Sequence, residues 1–268
     1  MSVIRLPAVA GMFYPAEPRQ LAGDVLQLLA GASTSKIIPK ALIVPHAGYI
    51  YSGAVAATAY ATLCPVASRI SRVVLLGPTH RVAINGLALP GVDVFDTPLG
   101  HVMLDTAAAA AITHLPQVSI NTHAHELEHS LEVQLPFLQT ILNDFTLLPL
   151  AVGMASAEQV AEVLNVVWGD EETLIVVSSD LSHYLPYTSA QQVDNETARA
   201  ILNLNQPIAH DHACGGTPIS GLLIAARRHG LTAHLLDLRN SGDTAGSRDA
   251  VVGYAAFAFA EEMNHAQS

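Results

Sequence analysis

Two histidines follow short strand-like runs, each in a turn that contains glycine. His46 comes after the run 41–44, and His80 comes after the run 72–76. Such runs are typical of strands that are buried on both faces of a sheet. Because ligands of open α/β sheets bind at turns that follow the carboxyl ends of strands, we predict that both histidines serve chemistry rather than packing.

An acidic residue, another histidine and a cysteine have similar positions. Asp180 and His183 follow the run 173–177, and Cys214 lies in a loop before a predicted helix over 217–229. Amide groups and the dipole at the start of a helix favour a thiolate. Two histidines and one thiolate, with coordination positions left open, are typical of a reactive metal site rather than a structural one.

Each of these residues also has an ordinary structural interpretation. His46 and His80 could hydrogen-bond backbone groups in their turns, Asp180 could cap the following turn, and Cys214 could be a small buried side chain. The convergence of all of them at one predicted sheet edge favours the metal site.

A second pattern, His125-Glu126-Leu127-Glu128-His129, matches the zinc-protease motif H-E-x-x-H. The motif requires both histidines on one face of a helix, and the residues after His129 lack the glycine and third histidine that extend it in metzincins. A helix that begins near Glu128 or Ser130 would leave His125 outside. A zinc hydrolase is therefore the weaker alternative, and Glu128 and His129 are predicted to line the pocket of the metal site.

Predicted strands and helices alternate along the chain. Helices are predicted over 18–29, from 53, over 105–112, from the segment 123–130 to about 143 with a kink or break at Pro136, and over 156–168, 189–204 and 217–229. Strands are predicted over 41–44, 72–76, 145–152, 173–177, 231–238 and 251–260. This alternation predicts an α/β fold, with a single layered α/β/α domain over residues 1–268 around a central mixed, largely parallel sheet.

The composition argues against several classes of function. Half of the 268 residues are hydrophobic and only 13% are charged, so we expect a large buried core. The net charge of -11, with histidines neutral, argues against nucleic acid and anionic membranes as partners. No apolar run reaches the ~20 residues of a spanning helix, the amino terminus does not resemble a signal peptide, and Cys64 and Cys214 do not make a disulfide framework. We expect a cytoplasmic protein.

Five segments together resemble the Memo family, known in bacteria and archaea as the AmmeMemoRadiSam system protein B. They are Pro45-His46-Ala47-Gly48-Tyr49, Leu76-Gly77-Pro78-Thr79-His80, Glu128-His129-Ser130-Leu131-Glu132, Ser178-Ser179-Asp180-Leu181-Ser182-His183 and Cys214-Gly215-Gly216-Thr217-Pro218-Ile219. The segments extend over almost the whole chain in one order, so the resemblance is more specific than any single motif.

The resemblance implies a fold similar to that of class III extradiol dioxygenases, the non-haem iron enzymes that open catechol rings. It assigns the family's metal ligands to His46, His80 and Cys214, and the acid–base histidine of the dioxygenases to His183. Iron is the cofactor it favours, with copper or zinc as alternatives, because a thiolate suits softer ions than the glutamate of the dioxygenases does. Ring opening does not follow from the fold alone.

We therefore expect an oxidoreductase that holds iron or copper at an open site of two histidines and one cysteine. His183 would relay a proton, with Asp180 orienting it or balancing its charge. Tyr49 and Thr79 would offer hydroxyl groups to a small-molecule substrate, such as an aromatic one, or to a peptide. The alternative is a non-catalytic adaptor that binds a metal or a peptide in the same cleft, and other AmmeMemoRadiSam system proteins are candidate partners.

Overall fold

Strands and helices alternate along most of the chain, as predicted. The structure is a computed structural model that describes residues 2–33 and 35–262. Its helices are α1 (Pro18–Ala30), α2 (Tyr49–Tyr60), α3 (Thr106–Ile112), α4 (Thr122–Glu126), α5 (Leu135–Ile141), α6 (Ala157–Val166), α7 (Tyr187–Leu202) and α8 (Gly216–Arg228). Its strands are β1 (Ile4–Arg5), β2 (Ala41–Val44), β3 (Arg72–Pro78), β4 (Leu87–Leu89), β5 (Val94–Thr97), β6 (Gly100–Met103), β7 (Val118–Ile120), β8 (Thr146–Val152), β9 (Thr173–Ser178), β10 (His183–Leu185), β11 (Leu231–Asn240) and β12 (Val251–Glu261). Short 3₁₀ helices cover Ala61–Arg69, Glu132–Gln134 and Ser241–Asp243.

A large mixed sheet occupies the centre of the described part of the chain. Its strand order is β10-β12-β2-β9-β3-β8-β4-β7, with β11 paired to β12. The neighbours β2, β9, β3 and β8 are parallel, whereas β12 and β4 run antiparallel to β2 and β8. A smaller sheet contains β1, β5 and β6. The parallel centre brings the carboxyl ends of β2, β9 and β3 to one edge.

Helices cover both faces of this sheet because its central strands are apolar on both sides. In β2, Leu42 and Val44 belong to a core that includes residues of α1, α2 and α5. Ala41 and Ile43 belong to the opposite core, which includes residues of α3, α6, α7 and α8. The predicted layered α/β/α architecture with a central mixed sheet is therefore confirmed.

The helical stretch Tyr49–Arg69 is apolar enough and long enough to cross a membrane by composition alone, with a mean hydropathy of 1.3. However, 61% of this window is buried inside the protein. Its first part, α2, contacts β11, β12 and α1. The stretch is therefore a core helix of one layer.

Two predicted helix boundaries are wrong. Helix α2 begins at Tyr49 rather than Gly53. A Cβ atom on Gly53 would lie 2.9 Å from Leu28 Cδ1, so this glycine permits close packing of α1 and α2. The continuous helix predicted up to about 143 is divided into α4, a 3₁₀ turn and α5. Pro136 lies in the first turn of α5, where its missing N–H has no intrahelical partner to lose.

The amino-terminal segment is attached to the body by one buried carboxylate. Glu132 accepts hydrogen bonds from Arg5 Nη1 (2.8 Å), the backbone amides of Ala8 (2.8 Å) and Val9 (3.0 Å), and the Tyr14 hydroxyl (2.6 Å). The side chains of Arg5 and Glu132 are only 5% and 0% exposed. A buried charge of this kind is stable only while its partners remain in place.

Replacing Glu132 with alanine should lower the free energy of unfolding by about 3–5 kcal/mol, because the Arg5 charge would stay buried without a partner. Urea denaturation at pH 7 measures this change. The control is Glu171→Ala, which breaks an exposed pair with Arg69 at 3.4 Å and should leave the midpoint nearly unchanged. Equal midpoints for the two variants would contradict the interpretation of Glu132.

The H-E-x-x-H pattern does not form a zinc-protease site. His125 lies in α4, which ends at Glu126, so His129 is outside that helix. His125 is 1% exposed, and its Nε2 donates to the carbonyl oxygen of Ala88 at 2.8 Å. Its Nδ1 has no hydrogen-bond partner among the residues that the structure describes. Because the two histidines do not share a helix face, the zinc hydrolase alternative is wrong on geometry.

Burial of His125 should make the protein less stable in weak acid. Burial lowers the pKa of His125 from 6.5 to about 4, so the unfolded chain takes up a proton at a pH where the folded protein does not. Stability is therefore lost as the pH falls from 6.5 towards 4, by about 2 kcal/mol between pH 7 and pH 5.

Urea denaturation of the wild type and of His125→Gln at both pH values isolates this contribution, because the other titrating groups are common to the two proteins. Glutamine retains a donor for the Ala88 carbonyl. The variant should lose less stability than the wild type on acidification, by about 2 kcal/mol. Parallel losses in the two proteins would show that His125 is not responsible.

Candidate metal centre

The topology brings the predicted site residues to one edge of the sheet. Each of three strands ends two residues before a predicted site residue: β2 before His46, β9 before Asp180 and β3 before His80. These strands are neighbours and parallel, so their carboxyl ends lie side by side. His129 and Cys214 come from the loops before α5 and α8, in the two helical layers.

His46, His80 and His129 form a cluster that could hold one metal ion. One ring nitrogen from each residue lies within 4.8 Å of the other two. Their ring centroids are 5.1 Å apart for His46 and His80, 5.4 Å for His46 and His129, and 4.5 Å for His80 and His129. The sequence predicts His129 as a pocket residue, and the structure places it among the candidate ligands.

His46 is held from both its backbone and its ring. Its backbone amide donates to Asp180 Oδ1 at 2.7 Å, and its Nδ1 lies 2.9 Å from Ser178 Oγ. Its Nε2 is 3.3 Å from Cys214 Sγ. Burial, reinforced by the neighbouring histidines, lowers the pKa of His46 well below its ordinary value, so the imidazole is neutral, as a metal ligand must be.

A buried carboxylate orients His80. Glu128, which is 1% exposed, accepts from the His80 backbone amide at 2.5 Å and from His80 Nδ1 at 2.8 Å. Burial raises the pKa of Glu128, but the hydrogen bonds from His80 and from the Ser130 amide outweigh burial and lower it to about 2. An ionised carboxylate can only accept, so Nδ1 of His80 carries the proton of this bond, and Nε2 is the ring nitrogen left for an ion.

His129 is closely packed, with 15% of its side chain exposed. Its Nδ1 lies 3.4 Å from Glu128 Oε1, and its ring centroid lies 4.7 Å from that of Phe13. Burial lowers the pKa of His129 to about 4. Burial therefore keeps the rings of His46 and His129 uncharged at neutral pH.

Cys214 is close to the cluster, but it is not the thiolate that its place before a helix predicts. Burial and the nearby Asp180 carboxyl raise the pKa of the Cys214 thiol to about 12. Sγ lies 3.6 Å from the backbone oxygen of Asp180 and 3.9 Å from Ser179 Oγ. Desolvation outweighs the dipole of α8 here, and a coordinated metal would be needed to remove the proton.

Asp180 and His183 are both near the cluster, but their contacts differ from the predicted pair. The carboxylate of Asp180 holds the His46 turn through the His46 amide, and burial raises its pKa to about 7. Among the described residues, no hydrogen bond joins Asp180 to His183. Burial lowers the pKa of His183 from its ordinary value, so this ring is neutral near pH 7.

The two hydroxyl groups expected in the pocket have other positions. The Tyr49 hydroxyl donates to the backbone oxygen of Val133 at 2.7 Å within the core. Thr79 lines a cavity of about 600 Å³ whose wall also includes His210 and Thr217. The residues that line this cavity do not include His46, His80 or His129, and the Tyr49 hydroxyl is already engaged in the core.

Sequence reasoning missed two aromatic residues that contact site histidines. Phe13 packs on His129, and the Tyr184 ring centroid lies 5.9 Å from that of His183. Tyr184 is 76% exposed and has a φ of 57°, a left-handed conformation that costs a residue with a side chain about 1–2 kcal/mol. Its strand, β10, was also not predicted, because three residues give no periodicity. The contact of Phe13 has no signal in a single sequence.

The donor set fits a divalent metal. His46 and His80 each place Nδ1 against a hydrogen-bond partner, which leaves Nε2 for an ion. The Cys214 thiol is neutral and the Asp180 carboxyl is only partly ionised at pH 7, both through burial. A bound cation would stabilise the charged forms of both groups.

Known proteins resemble this chain over nearly its full length. Residues 5–258 match the family described as Memo-like protein. A MEMO1 family protein of Methanosarcina barkeri is 38% identical over 270 residues, which cover 94% of this chain and 98% of the relative. A MEMO1 family protein of Aquifex aeolicus is 38% identical over 272 residues, covering 96% and 99%.

Among solved structures, an uncharacterized protein of Escherichia coli K12 has a TM-score of 0.49 and 14% identity, covering 81% of this chain and 98% of its own. Family membership rests on the sequence matches, which extend from β1 to β12 and include the strand ends and loops that carry the histidine cluster. On those matches, this chain belongs to the Memo-like family.

Proposed function

We propose that this protein binds a redox-active divalent metal, iron or copper, through His46, His80 and Cys214, and uses it to oxidise a small aromatic substrate. The observation that carries the proposal is the orientation of two imidazoles. Each has its Nδ1 against a buried hydrogen-bond partner and its Nε2 available to an ion. A histidine ligand whose other nitrogen is hydrogen-bonded to a carboxylate or backbone group is the usual arrangement in metalloproteins.

A thiolate as the third ligand favours iron or copper over harder ions. The Cys214 sulfur, 3.3 Å from His46 Nε2, is close enough to share an ion with that histidine after a small adjustment. His129 is assigned to the substrate pocket, next to the ligands. When bound, the metal supplies Lewis acidity and one-electron redox chemistry to the substrate and oxygen.

His183 is assigned the proton transfer. Its ring is neutral at pH 7 because burial lowers its pKa, so it can accept a proton from a substrate hydroxyl. Asp180, which is also near the thiol, would balance the positive charge that His183 gains.

Aromatic walls support a planar substrate. Phe13 packs against His129 on one side, and Tyr184 packs against His183. A site with apolar walls and a few convergent polar groups is typical of small-molecule pockets. Peptide binding in the same cleft, without catalysis, is the alternative.

Substitution of each proposed ligand should abolish metal binding. Protein purified without added metal and analysed by mass spectrometry for iron, copper and zinc should contain metal in the wild type and background amounts in His46→Ala, His80→Ala and Cys214→Ala. His129→Gln should retain the metal. His123→Ala is the control, since the His123 side chain is 86% exposed. Unchanged metal in both His46→Ala and Cys214→Ala would overturn the site, and loss in His129→Gln would change the ligand set.

Loss of His183 should slow turnover strongly and leave metal binding intact. After anaerobic loading with iron, oxygen uptake is measured on a panel of catechols. His183→Gln should be slower than the wild type by about 10²–10⁴-fold, the usual contribution of general acid–base catalysis, with the same metal content. His101→Gln, an exposed histidine, should have no effect. Tight binding of the catechols or of a peptide without oxygen uptake would favour the adaptor alternative.

A further inference from the structure

The hydroxyl group of Ser178 is buried at the end of β9, beside the ring of His46. Ser178 Oγ lies 2.9 Å from His46 Nδ1, 2.8 Å from Gln134 Nε2 and 2.6 Å from the backbone oxygen of Ser130. The exposed fractions of Ser178, Gln134 and His46 are 0%, 1% and 2%. Because all three side chains are buried, these neighbours are the hydrogen-bond partners of the Ser178 hydroxyl. The donor of each bond can therefore be deduced from the groups that can only donate or only accept.

The orientation of the Gln134 amide is determined by its other contacts. Its Nε2 lies 2.9 Å from the backbone oxygen of Pro45, and its Oε1 lies 2.9 Å from the Tyr60 hydroxyl. A carbonyl oxygen can only accept, so the amino group of Gln134 must face Pro45. The same amino group faces Ser178, to which Gln134 therefore donates.

The single proton of the Ser178 hydroxyl is assigned in the same way. The backbone oxygen of Ser130 can only accept, so the Ser178 proton points to it. One lone pair of Ser178 receives the proton of Gln134, and only a lone pair remains for His46. His46 must then donate from Nδ1, which leaves the lone pair on Nε2, the atom that faces Cys214.

We propose that Ser178, Gln134 and Tyr60 are positioning residues that fix the Nδ1–H tautomer of His46 and thereby prepare Nε2 for the metal. The three act through His46 and are bonded in series from the core to the site. Glu128 has the corresponding role for His80, as an ionised carboxylate. The use of Nε2 by a metal rests on the proposed function, whereas the tautomer is a property of the metal-free protein.

Nitrogen NMR of metal-free protein labelled with ¹⁵N-histidine tests the tautomer directly, because protonated and bare ring nitrogens differ widely in chemical shift. His46, assigned from the spectrum of His46→Gln, should show a protonated Nδ1 and a bare Nε2. A protonated Nε2, or a mixture of tautomers, would overturn the proposal even if the metal binds.

Variants test whether the hydrogen-bonded series Tyr60–Gln134–Ser178, called the relay below, is what fixes the tautomer of His46. Ser178→Ala should give a mixture of tautomers at His46 and weaken iron or copper binding by about 10- to 100-fold, as loss of such supporting hydrogen bonds usually does. Ser178→Thr keeps the hydroxyl and should restore the single tautomer. Tyr60→Phe should have a smaller effect than Ser178→Ala, since Pro45 still orients Gln134.

Thr62→Val is the control for losing a buried hydroxyl, because Thr62 is 1% exposed and donates only to the Ala59 carbonyl. It should keep the wild-type tautomer and metal affinity. A folded Ser178→Ala with both properties unchanged would refute the relay. If Ser178→Ala does not fold, the proposal is tested by the tautomer of His46 in the spectra of the wild type and of Tyr60→Phe. The wild-type tautomer without metal binding would refute only the proposed function.

Discussion

The polar side chains of Glu128, Ser130, Glu132 and Gln134 are buried and must be hydrogen-bonded, and the site and the amino-terminal segment are held by the partners that satisfy them. Glu128 accepts from His80, Glu132 accepts from the amino-terminal segment, and Gln134 donates to the ends of β2 and β9. This short irregular segment therefore links the amino terminus to three strands of the sheet. Because a buried carboxylate without partners costs several kcal/mol, the fold and the site depend on the same bonds.

The strand ends could be predicted from the sequence because the signal for them is local. His46 and His80 follow apolar runs long enough for one strand each, and a parallel sheet aligns the ends of such strands without further information. The predicted helix starts at residues 105 and 156 are likewise local, since Asp105 and Ser156 each accept from the backbone amide three residues later and so cap α3 and α6. Where neighbouring residues in the chain determine the local structure, the elements predicted from the sequence agree with those in the fold.

The segment before α5 could not be predicted, because distant residues determine its conformation. Glu132 and Gln134 alternate with apolar residues in a stretch that has helical periodicity, and their partners Arg5 and Pro45 are far away in the chain. Two polar side chains inside an apolar stretch indicate that this stretch does more than pack in the core. They do not indicate which distant residues they bind. Membership of His129 in the cluster could not be deduced for the same reason.

The charge state of the site could not be predicted from the sequence either, because it depends on burial rather than on the spacing of residues. The place of Cys214 before α8 favours a thiolate, but desolvation near Asp180 keeps the thiol protonated. Around it, the imidazoles of His46 and His129 are neutral as well. Burial thus keeps these three groups uncharged, whereas hydrogen bonds from His80 and Ser130 keep the buried Glu128 carboxylate ionised. A divalent cation would have to displace the thiol proton, so binding would strengthen as the pH rises. The same burial that keeps the Cys214 thiol protonated therefore makes metal affinity depend on pH.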